Sequence, residues 1–226
     1  MLIGILNCGH FTQRPDTPRR DYDTLYREML DGFGFEFKAW HVIDMEFPES
    51  VRDADGWLLG GSRHGVYDDI PFIAPLLHFV REAYSADIPV AGSCFGHQLI
   101  AEALGGRVEK YSGGWGIGHA DYDFEGRRMT LTAFHQEQVT QRPPDARVIG
   151  TNAFCENAAL AYAGSAFSGQ AHPEFGEAEM DLLLDMRAPK LVDQAMIDAA
   201  RSRGKEPNQN TEMAAHIARF FKGATL

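Results

Sequence analysis

The 226-residue sequence has few cysteines, no long hydrophobic run and a shortage of positive charge. Its three cysteines are too few and too widely spaced for a disulfide framework or a zinc ribbon. We therefore expect a cytoplasmic protein in which one of the thiols is chemically active. No apolar run approaches the ~20 residues of a membrane span. The first residues, Met1–Leu6, lack a basic leader and predict a strand instead of a signal peptide.

Lys and Arg number 21 against 32 Asp and Glu, which gives a net charge of −11. The basic residues are scattered, and a pair such as Arg19-Arg20 is too short to follow a phosphate backbone, so we expect no nucleic-acid partner. A G-x-x-x-x-G-K-[ST] loop is also missing, and we predict no cofactor. His119, Asp121 and Asp123 alternate like metal ligands, but a polar strand face explains this spacing equally well, so no metal is predicted.

Apolar residues make up 44% and charged residues 23%, proportions that exclude a disordered chain, a fibrous repeat and a coiled coil. A chain of this length can bury a large core without disulfides. No internal repeat or linker divides it. We therefore expect one domain over residues 1–226, with C-terminal helices over 177–222 packed against it.

Strand and helix patterns alternate in the first half. A helical stripe at i, i+3, i+4, i+7 spacing runs over residues 22–33. Further helices are predicted over 72–84 and 95–104, and short apolar or alternating strands over 2–6, 35–43, 54–61 and 88–93. This alternation predicts an α/β three-layer sandwich with a mostly parallel central sheet.

The middle of the chain changes character. Strand patterns separated by Gly- and Pro-rich turns predict antiparallel hairpins appended to that sheet, over 107–111, 117–124, 128–134, 147–153, 158–163 and 166–171. The last part of the chain is predicted helical, over 177–188, 189–203 and 211–222.

The strongest local motif surrounds Cys94. An apolar strand runs into Gly92, the cysteine follows, and a helix is predicted to begin at once. Such a strand-to-helix turn exposes a nucleophile and places its sulfur at the positive end of a helix, which favours thiolate. The amide of Phe95 is then placed to donate to an oxyanion.

A thiol nucleophile needs a base, and the base needs an orienting group. His172 follows a predicted strand, and Pro173 biases it toward extended backbone. In extended chain, residues i and i+2 point the same way, so Glu174 is placed beside His172. After another apolar strand, Gly60-Gly61 offers a second oxyanion donor, the amide of Gly61.

Together these motifs resemble the class I (triad) glutamine amidotransferase domain, notably the glutaminase domain of GMP synthase. Four motifs of the family are matched, in the family's order along the chain. The glycine turn corresponds to Leu59-Gly60-Gly61, and the G-x-C-x-G-x-Q signature to Gly92-Ser93-Cys94-Phe95-Gly96-His97-Gln98. The glutamine-pocket segment corresponds to Phe134-His135-Gln136-Glu137-Gln138-Val139, and the H-P-E signature to His172-Pro173-Glu174. The resemblance covers about residues 55–175 and implies a flavodoxin-like core.

The resemblance also implies roles. Cys94 attacks the γ-carbonyl of glutamine, His172 protonates the leaving amine and then activates water, and Glu174 orients His172. The amides of Gly61 and Phe95 hold the oxyanion. The products are glutamate and ammonia, formed by way of a γ-glutamyl thioester. The amino-acid end of the substrate is expected to lie against Gly60, Gln98, Phe134 and His135.

Several alternatives stay open. The chain contains no ATP-binding signature for consuming ammonia, so either a separate synthase subunit is its partner or it hydrolyses other γ-glutamyl compounds alone. A binding or regulatory subunit without turnover is a third possibility. Intracellular peptidase-like proteins place the base directly after the nucleophile, where this chain has Phe95. His97 is a rival base, although the turn should aim Cys94 away from it. Candidates for setting pocket selectivity are Arg63, His64, Tyr67 and Trp115.

Overall fold

The computed structural model describes residues 1–11 and 20–224. Within them the strands are β1 (Leu2–Leu6), β2 (Glu36–Trp40), β3 (Gly56–Leu59), β4 (Val90–Ser93), β5 (Arg107–Lys110), β6 (Gly116–Phe124), β7 (Arg127–His135), β8 (Glu137–Gln141), β9 (Ala146–Thr151), β10 (Ala159–Tyr162) and β11 (Ala166–Gly169). The helices are α1 (Tyr22–Met29), α2 (Ile73–Ser85), α3 (Phe95–Ala103), α4 (Glu177–Met186), α5 (Gln194–Arg203) and α6 (Asn210–Phe221).

Nine strands form one mixed sheet in the order β2-β1-β3-β4-β11-β10-β9-β6-β7. The first five of these are parallel, in the 2-1-3-4-5 order of flavodoxin-like folds. The remaining four pair antiparallel and extend the same sheet. The predicted α/β architecture, with a parallel core and an antiparallel hairpin region, is confirmed.

The parallel strands are buried on both faces, which explains their continuous apolar sequence. Ile5 and Leu58 join the core on one face of the sheet, and Leu6 and Leu59 join the core on the other. One core lies under α1 and the C-terminal helices, and the other lies under α2 and α3. These two cores separate the three layers of the sandwich.

The helices predicted over 177–222 pack on the sheet through the apolar face of α6, which buries Met213, Ile217 and Phe221. The Asn210 carboxamide oxygen at the start of α6 also accepts from the Thr132 backbone amide of β7, at 3.2 Å. Of the helices in the described part of the chain, none is long and apolar enough to cross a membrane. That residues 1–226 form one domain stays a prediction.

Some of the predicted elements were wrong for local reasons. The strand expected over 35–43 ends at Trp40, because residues 42–44 form a 3₁₀ turn. The helix expected over 189–203 begins only at Gln194, where Asp193 caps it by accepting from the Met196 amide. No strand was predicted over 137–141, part of which belongs to the expected pocket segment 134–139, but these residues form β8, which pairs with β5 in a separate two-stranded sheet.

Candidate active site

Cys94 occupies the sharp turn between β4 and α3. Its backbone has φ 52° and ψ −104°, a region that side chains rarely adopt, and its amide donates to the Gly169 carbonyl at 2.9 Å. The turn needs glycine on both sides. An added Cβ at Gly92 would lie 2.5 Å from the Gly96 carbonyl carbon, and one at Gly96 would collide with the Leu59 carbonyl oxygen. The predicted strand-to-helix turn is therefore present, with the sulfur at the start of a helix.

His172 lies beside this turn, just after β11, the strand that pairs with β4. Its amide donates to the Thr132 carbonyl at 2.8 Å, and its ring stacks on Phe175 with centroids 4.1 Å apart. Nδ1 lies 2.7 Å from Glu174 Oε1, and the side chains of both Cys94 and Glu174 act electrostatically on the imidazole. The structure therefore brings together the three predicted triad side chains, all buried.

Charge stabilises this arrangement. Burial alone lowers the pKa of His172, but the negative charges of Cys94 and Glu174, together with the hydrogen bond to Glu174, raise that pKa to about 10. At neutral pH the imidazolium form is favoured.

A side chain that the sequence analysis did not identify gives Glu174 a second hydrogen bond. Tyr26 of α1 is fully buried, and its hydroxyl donates to Glu174 Oε1 at 2.9 Å, the same oxygen that meets His172. Glu174 Oε2 is buried without a hydrogen-bond partner among the described residues. In the sequence Tyr26 belongs to an apolar helical stripe; the one available signal was that a buried tyrosine hydroxyl needs a partner.

The glycine turn after β3 meets the same site. An added Cβ at Gly61 would lie 3.0 Å from His172 Cε1, and one at Gly60 would lie 2.9 Å from the Tyr26 ring. Only a residue without a side chain allows the backbone to approach the imidazole this closely. Gly61 is thus placed next to His172, while Gly60 packs against Tyr26. Phe95, the other predicted oxyanion donor, is the first residue of α3.

A narrow cavity lies over Cys94. Predicted substrate-contacting residues Gln98, Phe134 and His135 line it. The Gln98 carboxamide nitrogen donates to the Glu137 carbonyl at 2.8 Å, and His135 Nδ1 lies 3.2 Å from the same oxygen. The remaining lining residues are Ser62, Arg63, His64, Trp115, Glu137 and Arg187. Three of the four selectivity candidates are among them; Tyr67 is exposed, and its hydroxyl reaches the Glu137 carboxylate at 3.3 Å.

The model of the family "Glutamine amidotransferase class-I" matches residues 30–184. The chain belongs to this family. Gamma-glutamyl peptidase 2 of Arabidopsis thaliana is 25% identical over 99% of this chain and 98% of its own length. A GMP synthase [glutamine-hydrolyzing] subunit of Halobacterium salinarum is 30% identical over 67% of each chain. The glutamine amido transferase from Methylobacillus flagellatus has the same fold, with a TM-score of 0.75, 20% identity and coverage of 99% of this chain and 94% of that one.

Within this amidotransferase fold, His97 has a structural environment. It is fully buried on α3, with Nδ1 2.7 Å from Ser168 Oγ and Nε2 3.0 Å from the Asn157 carbonyl. Burial lowers its pKa to about 3, so it stays neutral. Both ring nitrogens are thus engaged by groups other than Cys94, as expected for a histidine that packs and does not act as the base.

Acid should destabilise the protein through its buried histidines. The folded-state pKa values of His97 and His135 are lowered by burial to about 3 and about 4. Their neutral forms therefore contribute stability that is present above pH 6.5 and lost as the pH falls below it. Each histidine should lower the free energy of unfolding by about 2 kcal/mol when the pH falls to 5. The thermal unfolding temperature, measured from pH 7.5 to pH 5, should fall with this dependence on pH. The fall should be smaller in His97→Asn. An unfolding temperature that does not change over this range would contradict the prediction.

Among the residues that the structure describes, one group of potential metal ligands shares no residue with the lining of the Cys94 cavity. His10, Asp21 and His41 place their ligand atoms within 4.8 Å of one another. His10 already bridges two carboxylates, with Nδ1 2.8 Å from Asp21 Oδ2 and Nε2 3.1 Å from Asp44 Oδ2. Asp21 also caps α1 through the amide of Tyr22. Ion pairing and helix capping account for this cluster, and the expected absence of a metal stays a prediction.

Proposed function

We propose that this chain is a cysteine amidohydrolase that cleaves the γ-amide of glutamine to glutamate and ammonia through a γ-glutamyl thioester on Cys94. The observation that carries the proposal is that the buried side chains of Cys94, His172 and Glu174 lie together beside the Gly61 backbone. His172 Nδ1 is 2.7 Å from Glu174 Oε1, and Cys94 acts electrostatically on the same imidazole. A thiol, an imidazole and an orienting carboxylate in this order are the components of nucleophilic acyl transfer.

The proposed reaction begins with attack of Cys94 Sγ on the γ-carbon, while the amides of Gly61 and Phe95 hold the oxyanion. The His172 imidazolium gives its proton to the leaving nitrogen, the C–N bond breaks, and ammonia departs. Neutral His172 then takes a proton from water, whose oxygen attacks the thioester. The C–S bond breaks, glutamate leaves, and Cys94 returns to thiolate beside imidazolium.

A second candidate is hydrolysis of other γ-glutamyl compounds by the chain alone. The supporting observation is that the match to gamma-glutamyl peptidase 2 extends over almost the whole of both chains, whereas the match to the Halobacterium GMP synthase protein covers two thirds of each. In the first candidate a separate synthase subunit receives the ammonia; in the second none is needed.

The test is to incubate the purified protein with glutamine and with a panel of γ-glutamyl amides and dipeptides, and to measure released glutamate, with Cys94→Ala as control. Fast Cys94-dependent turnover of another γ-glutamyl compound supports the free-standing hydrolase. Slow turnover of glutamine alone supports a glutaminase that awaits a partner. No turnover, together with no labelling of Cys94 by 6-diazo-5-oxo-norleucine, contradicts both and favours a binding subunit.

Tyr26 provides a test of the proposed triad. Tyr26→Phe removes one of the two donors to Glu174 Oε1 and leaves the aromatic ring in place. A lost hydrogen bond to a charged acceptor is worth about 1.5–3 kcal/mol, so we expect kcat to fall about ten-fold or more with little change in KM. The alkaline limb of the pH–rate profile should also shift, because Glu174 then interacts differently with His172. An unchanged kcat and pH profile would show that Tyr26 serves packing only.

A further inference from the structure

Two arginines on the wall of the Cys94 cavity have no carboxylate partner among the described residues. Within this part of the chain, the guanidinium groups of Arg63 and Arg187 make no ion pair or hydrogen bond, whereas arginines such as Arg127 and Arg147 meet glutamates on the surface. Arg187 lies over the Phe134 ring, 5.8 Å from its centroid. Unpaired guanidinium groups at a cavity suit an anionic ligand, because their planar donors match carboxylate oxygens.

The two arginines reach the cavity from different elements. Arg63 follows the glycine turn after β3, two residues beyond Gly61, and Arg187 directly follows α4. Both act on a third lining residue, His64. Burial and the positive charges of Arg63 and Arg187 lower the pKa of His64, and the opposing effect of Asp68 is smaller. The cavity wall therefore carries two fixed positive charges and a neutral imidazole, facing the single carboxylate of Glu137.

The charges on the wall exceed what glutamine needs. Glutamine brings one ammonium group and one carboxylate, whereas the wall offers one carboxylate and two guanidinium groups. Arg187 lies over Phe134, one of the residues expected to contact the α-amino acid group. Arg63 follows Gly61, a predicted oxyanion donor at the scissile amide, by two positions in the chain. One guanidinium is thus left for an anion on the leaving-group side.

We propose that Arg63 binds a carboxylate on the leaving group and Arg187 binds the α-carboxylate, so that the preferred substrates are γ-glutamyl amino acids or short γ-glutamyl peptides with a free carboxyl terminus. This inference rests on the proposed cysteine hydrolase chemistry and on its second candidate, the hydrolysis of other γ-glutamyl compounds. It deepens that candidate by naming the substrate class and the residue that selects it.

The experiment compares two substrates that differ on the leaving-group side, γ-glutamylglycine with a carboxylate and γ-glutamyl-p-nitroanilide without one. Arg63→Gln should lower kcat/KM for γ-glutamylglycine about ten-fold and leave the anilide within two-fold. Arg187→Gln should lower kcat/KM for both substrates alike. Added salt should weaken the preference of the wild-type protein, because Arg63 is exposed. Arg52→Gln, an exposed arginine outside the cavity, is the matched control and should change neither substrate.

The outcomes separate this inference from the proposed function. Cys94-dependent turnover of the anilide, with equal losses on both substrates in Arg63→Gln, would overturn the assignment of Arg63 and leave the hydrolase intact. A wild-type preference for glutamine over γ-glutamylglycine would overturn the substrate class. Absence of Cys94-dependent turnover of every substrate would contradict the proposed function, and this inference with it. Circular dichroism of each variant excludes a folding defect as the cause.

Discussion

Cys94→Ala should reduce hydrolysis of γ-glutamyl substrates by about 10⁴-fold or more, to the level of the uncatalysed reaction assisted by binding alone. The sulfur is the only protein atom proposed to form a covalent bond with the substrate. Released glutamate, measured against a no-enzyme blank, gives the rate. Turnover within ten-fold of wild type would contradict the thioester mechanism.

A second substitution at this position distinguishes lost chemistry from lost structure. Cys94 has a positive φ, and a non-glycine residue held in such a region costs about 1–3 kcal/mol. Cys94→Gly should therefore be as inactive as Cys94→Ala but more resistant to thermal unfolding than Cys94→Ala. If the glycine variant unfolds at the lower temperature, the turn is not strained.

His172→Asn should have the next largest effect, a fall in kcat/KM of about 10³-fold. General acid–base catalysis contributes about 10²–10⁴-fold, and the thiolate also loses the imidazolium that stabilises it. The loss should be smaller for a substrate with a good leaving group, since its departure needs less protonation. An equal loss for good and poor leaving groups would contradict the role of His172 as general acid.

The same histidine makes stability depend on alkaline pH. Its pKa in the folded protein is raised to about 10 from an ordinary value of 6.5. Its contribution to stability is therefore complete below pH 6.5 and is lost as the pH rises towards about 10. The thermal unfolding temperature of the wild-type protein should accordingly fall more steeply between pH 7 and pH 10 than that of His172→Asn.

The sequence alone was enough to predict the α/β sandwich and the residues that converge on Cys94. Strong periodicity identified α1 and the buried strands, and short motifs with demanding backbone geometry identified the Cys94 turn. Glycines were informative here because the structure leaves no room for a side chain at Gly92 or Gly96. These signals are local, so one chain suffices to detect them.

Contacts between elements that are far apart in the chain could not be predicted from the sequence. Tyr26 and Glu174 are 148 positions apart, and nothing in the pattern of an apolar helical stripe shows that a hydroxyl will meet a carboxylate. Arg187 was missed because it belongs to no motif and reaches the cavity only through the position of α4. β8 was missed because its pairing with β5 depends on the path of the chain between them.

The order of strands has a consequence for how the protein matures. β11 lies between β4, at the edge of the parallel strands, and β10, at the edge of the antiparallel ones, so it is the strand that joins the two halves of the sheet. It comes late in the chain and carries His172 shortly after its end. Until β11 inserts, Cys94 has neither its backbone partner Gly169 nor its imidazole. Such long-range pairing is slow compared with helix formation. A nascent or partly unfolded chain would therefore hold Cys94 as an ordinary thiol without its imidazole, and regain of hydrolytic activity during refolding should coincide with closure of the sheet.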